Sequence, residues 1–203
     1  MSTGTPINSA RRTKSYAAAA VQDDDGIKTS FATVAAPVTL VPADFNGAAI
    51  AAGGVLDLPR TVTITRSSNT DQFSVLPHVI TGKRGGQIVT ESWTPANNDG
   101  NDVFRGTQPF DTITSIALPT QDGTGGTFKI GVQDICCPAG QHFTGVKLDT
   151  AGPLNVQYGE VSGSATDTIN ATAGNIEPIS PSRIRTSPAL SAPTVAALTV
   201  YLP

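Results

Sequence analysis

The chain has 203 residues, a net charge of −3, only 14% charged and 5% aromatic residues, and two cysteines. That is enough for one large domain or two small ones. The acidic balance excludes a general nucleic-acid binder, which carries a basic surplus. No run approaches the ~18 apolar residues of a membrane span.

The opening stretch, MSTGTPINSARRTKSYAAAAV, has its cations in the middle and no long apolar core after them. It does not read as a secretory signal, and cytoplasmic synthesis is expected. Residues 1–33 read as an extended N-terminal arm. Within it, Ser9 as N-cap and the alanines Ala17 to Ala20 predict a short helix over Ser9–Gln22. Arg11-Arg12-Thr13-Lys14, followed by Tyr16, is the one basic cluster. It suits either nucleic acid or an acidic protein surface, against the bland alternative of a solvated arm.

From about Val34 the apolar period changes to two. Thr61-Val62-Thr63-Ile64-Thr65-Arg66 alternates, with Val62 and Ile64 on one face and threonines on the other. Gln87 to Trp93 and Thr112 to Leu118 read as further strands. So does the run around Phe128, Ile130 and Val132, with Lys129 and Gln133 facing away. Turn-rich connections separate them at Ser67–Asn69, Asn97–Asp102 and Gln121–Gly126. Short strands punctuated in this way predict an all-β fold, a β-sandwich or barrel over residues 34–135.

Residues 136–203 read as a second, smaller β region. Gly145-Val146-Lys147-Leu148 and the alternation of Leu154, Val156 and Tyr158 are strand-like. Residues 159–175 are rich in Gly, Ser, Thr and Ala. Ile176 to Ile184 reads as an extended edge. Thr194 to Leu202 is an apolar C-terminal strand that needs a partner, because an open apolar edge aggregates.

Motifs for chemistry are weak. Gly82-Lys83-Arg84-Gly85-Gly86 invites comparison with a phosphate-binding loop, but its lysine comes too early and a strand, Ile88-Val89-Thr90, follows. A hairpin turn with a charged tip fits better. Asp99 and Asp102 lack the spacing of a calcium loop, and Asp23-Asp24-Asp25 is equally plain. His78 and His142 have no marked nucleophile beside them. Glu91, Glu160 and Glu177 are the only glutamates, and the aromatic residues that line a sugar cleft are few. Cys136 and Cys137 are adjacent, so they are expected as thiols at a strand end, with too few ligands nearby for a metal. No catalytic residue, metal or cofactor is expected.

The order of the pieces carries a resemblance. Pro37-Val38-Thr39-Leu40 and Ala43-Asp44-Phe45-Asn46-Gly47-Ala48 come first. Leu58-Pro59-Arg60-Thr61-Val62-Thr63-Ile64-Thr65 is followed by Val79-Ile80-Thr81-Gly82, then by Gly85-Gly86-Gln87-Ile88-Val89-Thr90-Glu91-Ser92. Gly106-Thr107-Gln108-Pro109-Phe110-Asp111-Thr112-Ile113-Thr114-Ser115-Ile116 and Phe128-Lys129-Ile130-Gly131-Val132 complete the series. Over about residues 36–135 this resembles a loose family of tailed-bacteriophage virion proteins. Ile179 to Thr186 and Leu198 to Tyr201 resemble, less specifically, the closing strands of phage capsid accessory proteins.

The resemblance implies a non-enzymatic structural subunit of the virion, assembled in the host cytoplasm. The leading expectation is a head decoration (cement) protein that bridges major capsid protein subunits as a symmetric oligomer, with a trimer as one form. A tail or head–tail connector subunit and a glycan-binding tail protein are the alternatives. No membrane is implied, and nucleic acid is not an expected partner. Expected assembly contacts are Arg11, Arg12, Lys14 and Tyr16 on the N-terminal arm, and Arg183, Arg185 and Tyr201 on the C-terminal arm. The adjacent cysteines and the long N-terminal arm have no counterpart in the pattern.

Overall fold

A computed structural model describes residues 12–17, 23–67, 72–98, 101–137, 139, 143, 145–148, 152–158, 166–171, 176–177, 183–185 and 197–202. Among these the only helices are two three-residue 3-10 turns, Pro42–Asp44 and Ala52–Gly54, so the expected all-β class holds. The strands in chain order are β1 (Arg12–Ala17), β2 (Asp23–Ala32), β3 (Val38–Leu40), β4 (Ile50–Ala51), β5 (Val55–Ser67), β6 (His78–Arg84), β7 (Gln87–Trp93) and β8 (Asp102–Arg105). They continue with β9 (Phe110–Leu118), β10 (Thr127–Cys136), β11 (Gly145–Leu148), β12 (Gly152–Gln157), β13 (Thr166–Ala171), β14 (Ile176–Glu177), β15 (Arg183–Arg185) and β16 (Ala197–Leu202).

The pairing of eight of these strands defines the body. β10 lies between β2 and β5, and β5 also pairs with β8, giving the layer β2-β10-β5-β8. β9 lies between β3 and β6, and β6 pairs with β7, giving the layer β3-β9-β6-β7. Every neighbour is antiparallel. Apart from the β6–β7 hairpin, which lies within one layer, consecutive strands of the body alternate between layers in the order of two interleaved Greek keys, which is jelly-roll topology.

β5 ties the layers together. Its start pairs with β9 at Val55↔Thr112 and Arg60↔Phe110, and its later part pairs with β10 and β8. The register shifts between Val55 and Arg60. Pro59 sits in that shift, where a missing ladder donor does least harm.

Alternation built the core as expected. Val62, Ile64, Ile80, Ile113, Ile116, Phe128, Ile130 and Val132 are buried between the layers, joined by Ile27, Leu40, Leu56, Phe73, Phe110 and Leu118. The threonine side of β5 departs from expectation. Thr61 and Thr63 are fully buried as well, and the Thr61 hydroxyl accepts the Asp134 N–H at 3.1 Å. Gln133, expected to face away from the core, is also buried on the outer side of this layer.

Three expectations about organisation change. The arm does not extend to residue 33, because Asp23–Ala32 is a full strand of the body. Its three aspartates and two register irregularities against β10 hide its alternation. The helix over Ser9–Gln22 is replaced at Arg12–Ala17 by β1, which pairs along its whole length with β16, from Arg12↔Leu202 to Ala17↔Ala197. Tertiary pairing outweighs the weak helix preference of alanine here. The boundary at residue 136 falls at the end of β10, whose last residues pair with β15. β12 and β13 then extend the same sheet.

A separate four-stranded sheet, β1-β16-β11-β14, forms the smaller β region. It takes strands from both ends of the chain. β13 lies within the Gly/Ser/Thr/Ala-rich stretch of residues 159–175.

Candidate assembly surface

The connections β2–β3, β5–β6, β7–β8 and β9–β10 meet at one end of the jelly roll and are stitched to one another. Thr33 N–H donates to the Gly126 carbonyl at 2.8 Å, and Gly126 N–H returns a bond to the Thr33 hydroxyl at 3.1 Å. Gln121 is buried. Its side-chain oxygen accepts Ser74 N–H at 3.0 Å, and its own N–H donates to the Val34 carbonyl at 3.3 Å. Gln72 accepts Gly125 N–H at 2.6 Å through its side chain and Gly123 N–H at 3.2 Å through its carbonyl. Phe73 N–H reaches the Asn98 carbonyl at 3.3 Å. A Cβ at Gly126 would press on the Phe73 ring at 2.8 Å, and one at Gly123 would displace the end of the Gln72 side chain. This end presents Val34, Val75 and Leu76 to solvent.

Beneath it lies a buried cation. Arg66, at the end of β5, has its side chain fully buried. Its guanidinium stands 4.9 Å from the Phe73 ring centroid and 5.0 Å from that of Trp93. It donates to the Asp102 carboxylate at 3.1 Å and to the Asn97 carbonyl at 3.2 Å. Trp93 stacks on Phe104 with centroids 5.4 Å apart. The residues Asn97 and Asp102, weighed from sequence as a cation loop, therefore hold an arginine of the chain itself.

His78 belongs to the same cluster, 5.2 Å from Trp93 and 5.7 Å from Phe128. Its Nδ1 lies 3.0 Å from the Leu76 carbonyl, which can only accept, so Nδ1 carries the proton. Nε2 is buried without a partner. Burial pushes its pKa from 6.5 down to about 4, and the Arg66 charge pushes the same way. His78 is a neutral core residue, with no nucleophile in its bonding.

The sign of the pH effect follows. Between about pH 6.5 and 4 the unfolded chain binds a proton at this residue that the folded chain does not, so stability falls as pH falls through that window. The expected loss is on the order of 2–3 kcal/mol. His78→Phe should remove this part of the slope in denaturant melts between pH 7 and 4. An unchanged slope would show that His78 does not titrate in this way.

At the opposite tip, Gly85 and Gly86 have φ of 57° and 82°, the left-handed pair of a two-residue hairpin turn. The Gly85 N–H donates to the Asp111 carboxylate, and Arg84 binds that carboxylate at 3.3 Å and the Cys137 carbonyl at 2.6 Å. The glycine-rich stretch is thus a closed turn satisfied by the chain's own carboxylate. No helix follows it.

Glu91 is likewise committed. Its Oε1 accepts Thr107 N–H at 2.7 Å, the Thr107 hydroxyl at 3.0 Å and Gln108 N–H at 3.2 Å. Glu160 and His142 lie outside the described residues.

The expected contact residues separate into two groups. Arg183 is not a free surface cation. It is buried, 3.8 Å from the buried Asp134 carboxylate, and donates to the Thr107 carbonyl at 2.8 Å. Sequence could not show this, because its partners lie about 50 and 76 residues away. Arg12, Lys14 and Tyr16 stand on β1 opposite Leu202, Val200 and Leu198, and Tyr201 stands between Thr13 and Gly145. Arg185 stands opposite Asn155. Arg11 lies outside the described residues.

Cys136 and Cys137 are both buried, and neither is in a disulfide. Burial pushes the Cys136 pKa up to about 11 in spite of the neighbouring Arg183. That thiol stays protonated at neutral pH, the unreactive state. Among the described residues no three His, Cys, Asp or Glu side chains gather as a metal site.

No protein-family model, curated protein or solved structure matches the chain.

Proposed function

We propose that this chain is a non-enzymatic structural subunit of a tailed-phage virion, and more specifically a head decoration protein that bridges major capsid protein subunits. The observation that carries the proposal is the jelly-roll body, whose connecting loops are bonded to one another into a firm end presenting Val34, Val75 and Leu76. Jelly rolls serve viral capsids, lectins and cupins, and fold alone does not choose among them.

The polar interior favours the structural use. Arg60, Arg66, Arg84, Glu91 and Arg183 are each bound by groups of the chain itself. Trp93 stacks on Phe104 and faces Arg66, so it is not a free platform for a sugar ring. The virion-protein motif order supplies the choice of shell. Its turn glycines and β-branched residues occupy the hairpin and the core of this body.

Heads lacking the protein should rupture at lower temperature and in low salt, and adding the purified protein back should restore them. Heads that neither bind the protein nor gain resistance would contradict the decoration role. Binding confined to the portal vertex or tail would favour the connector alternative.

A further inference from the structure

Strand edges are where a β protein meets other chains, and this body treats its edges unequally. The outer edge of β2 is covered by residues 46–49. Asn46 N–H and Gly47 N–H both bond the Ile27 carbonyl, at 3.1 and 2.9 Å, and Ala49 N–H bonds the Gly26 carbonyl at 2.8 Å. β3 and β8 are edges of only three and four residues. β7 has seven residues and ends its layer, with no described strand on its outer side.

The hairpin fixes which β7 groups face outward. In a two-residue turn the flanking pair, Arg84 and Gln87, is a hydrogen-bonded pair. Alternation then gives Gly82–Val89, Ile80–Glu91 and His78–Trp93 the inward bonds. The N–H and C=O groups of Ile88, Thr90 and Ser92 point to the open side. The side chains of these three residues are exposed, Ile88 by 75%. Of the usual edge protections β7 has no Lys, no Pro and no bulge against β6.

We propose that β7 pairs antiparallel with β7 of a second copy about a twofold axis through Thr90, joining two jelly rolls into one continuous sheet. The register chooses this occupant. Centring on Thr90 overlaps all seven residues and sets Thr90 against Thr90, Ile88 against Ser92 and Val89 against Glu91. No like charges then stand opposite one another, and the Thr–Thr pair is favourable. Centring on Glu91 would oppose two carboxylates, and centring on Val89 would shorten the overlap to five residues. The single charge on the strand, Glu91, is already bonded to Thr107 and Gln108 within its own subunit.

The proposal concerns self-association and stands apart from the virion role. The full chain should sediment as a dimer at high concentration. Thr90→Pro should make it a monomer with an unchanged β6–β7 hairpin, because the lost N–H faces the open edge. Ile88→Lys is the second variant, should the proline perturb folding, and should weaken dimerisation at least tenfold.

Register is read by cysteine. Thr90→Cys should be joined to its own copy by a short thiol–thiol cross-linker, several-fold faster than Val89→Cys, while the native thiols are buried. A wild-type monomer at high concentration would overturn the proposal. So would a dimer that survives both edge variants, or cross-linking that favours Val89→Cys. None of these results would alter the copy number of the protein in a virion.

Discussion

Replacing Arg66 with alanine is expected to destabilise the protein by about 3–4 kcal/mol, read as a lower midpoint in urea with little change in slope. Three losses combine. The guanidinium sits over both Phe73 and Trp93, and a desolvated cation–ring contact is worth up to about 2 kcal/mol. The Asn97 carbonyl and Asp102 carboxylate lose their donor. A long, fully buried side chain leaves a cavity.

Asp102 limits the total. Its side chain is 45% exposed, so water can take over part of the arginine's role, and the full cost of about 3–5 kcal/mol for breaking a buried pair is not reached on that count alone. Arg66→Lys keeps the charge but loses the planar fork between two rings, and should recover less than half of the loss. Asp102→Asn should cost only about 1 kcal/mol. If Asp102→Asn proved as damaging as Arg66→Ala, the ion pair rather than the aromatic cage would be the main support.

The second large effect is expected at Gly54, with Gly53 as its internal control. Both have φ near +77°, so alanine at either pays about 1 kcal/mol for the left-handed conformation. They differ in surroundings. A Cβ at Gly53 would meet nothing within 4 Å, whereas one at Gly54 would strike the Ile113 carbonyl and press on Pro42 at 3.2 Å. Ile113 is a fully buried residue of β9, so its backbone cannot retreat without disturbing the core. Gly54→Ala should therefore cost about 3 kcal/mol more than Gly53→Ala. Parallel thermal melts give the comparison, and equal losses would mean that the β4–β5 corner relaxes freely.

Much of the body was legible because its strands alternate. Val62 and Ile64, Phe128 to Val132, and the hairpin around Gly85-Gly86 follow from local pattern and turn chemistry. β2 was not legible, since only Ile27 and Phe31 mark it and its pairing is irregular against β10. β13 was hidden because Thr166-Asp167-Thr168-Ile169-Asn170-Ala171 has little apolar content, and what places it is main-chain pairing with β12. The jelly-roll order depends on partners such as β2 and β10, about a hundred residues apart, which no local signal specifies. In sequence Arg66 is only the last residue of the alternating run Thr61–Arg66. It is buried because Phe73, Trp93 and Asp102 arrive from three other segments. Arg183 was read as a contact residue for the same reason, its internal partners being remote in the chain.

The most direct test of the virion role is the copy number of this protein relative to the major capsid protein, by quantitative mass spectrometry of purified phage particles. The decoration reading predicts near parity, or a fixed simple fraction repeated over the whole shell. A few copies per particle would move the chain to the tail or one vertex. Absence from purified particles would contradict a virion role altogether.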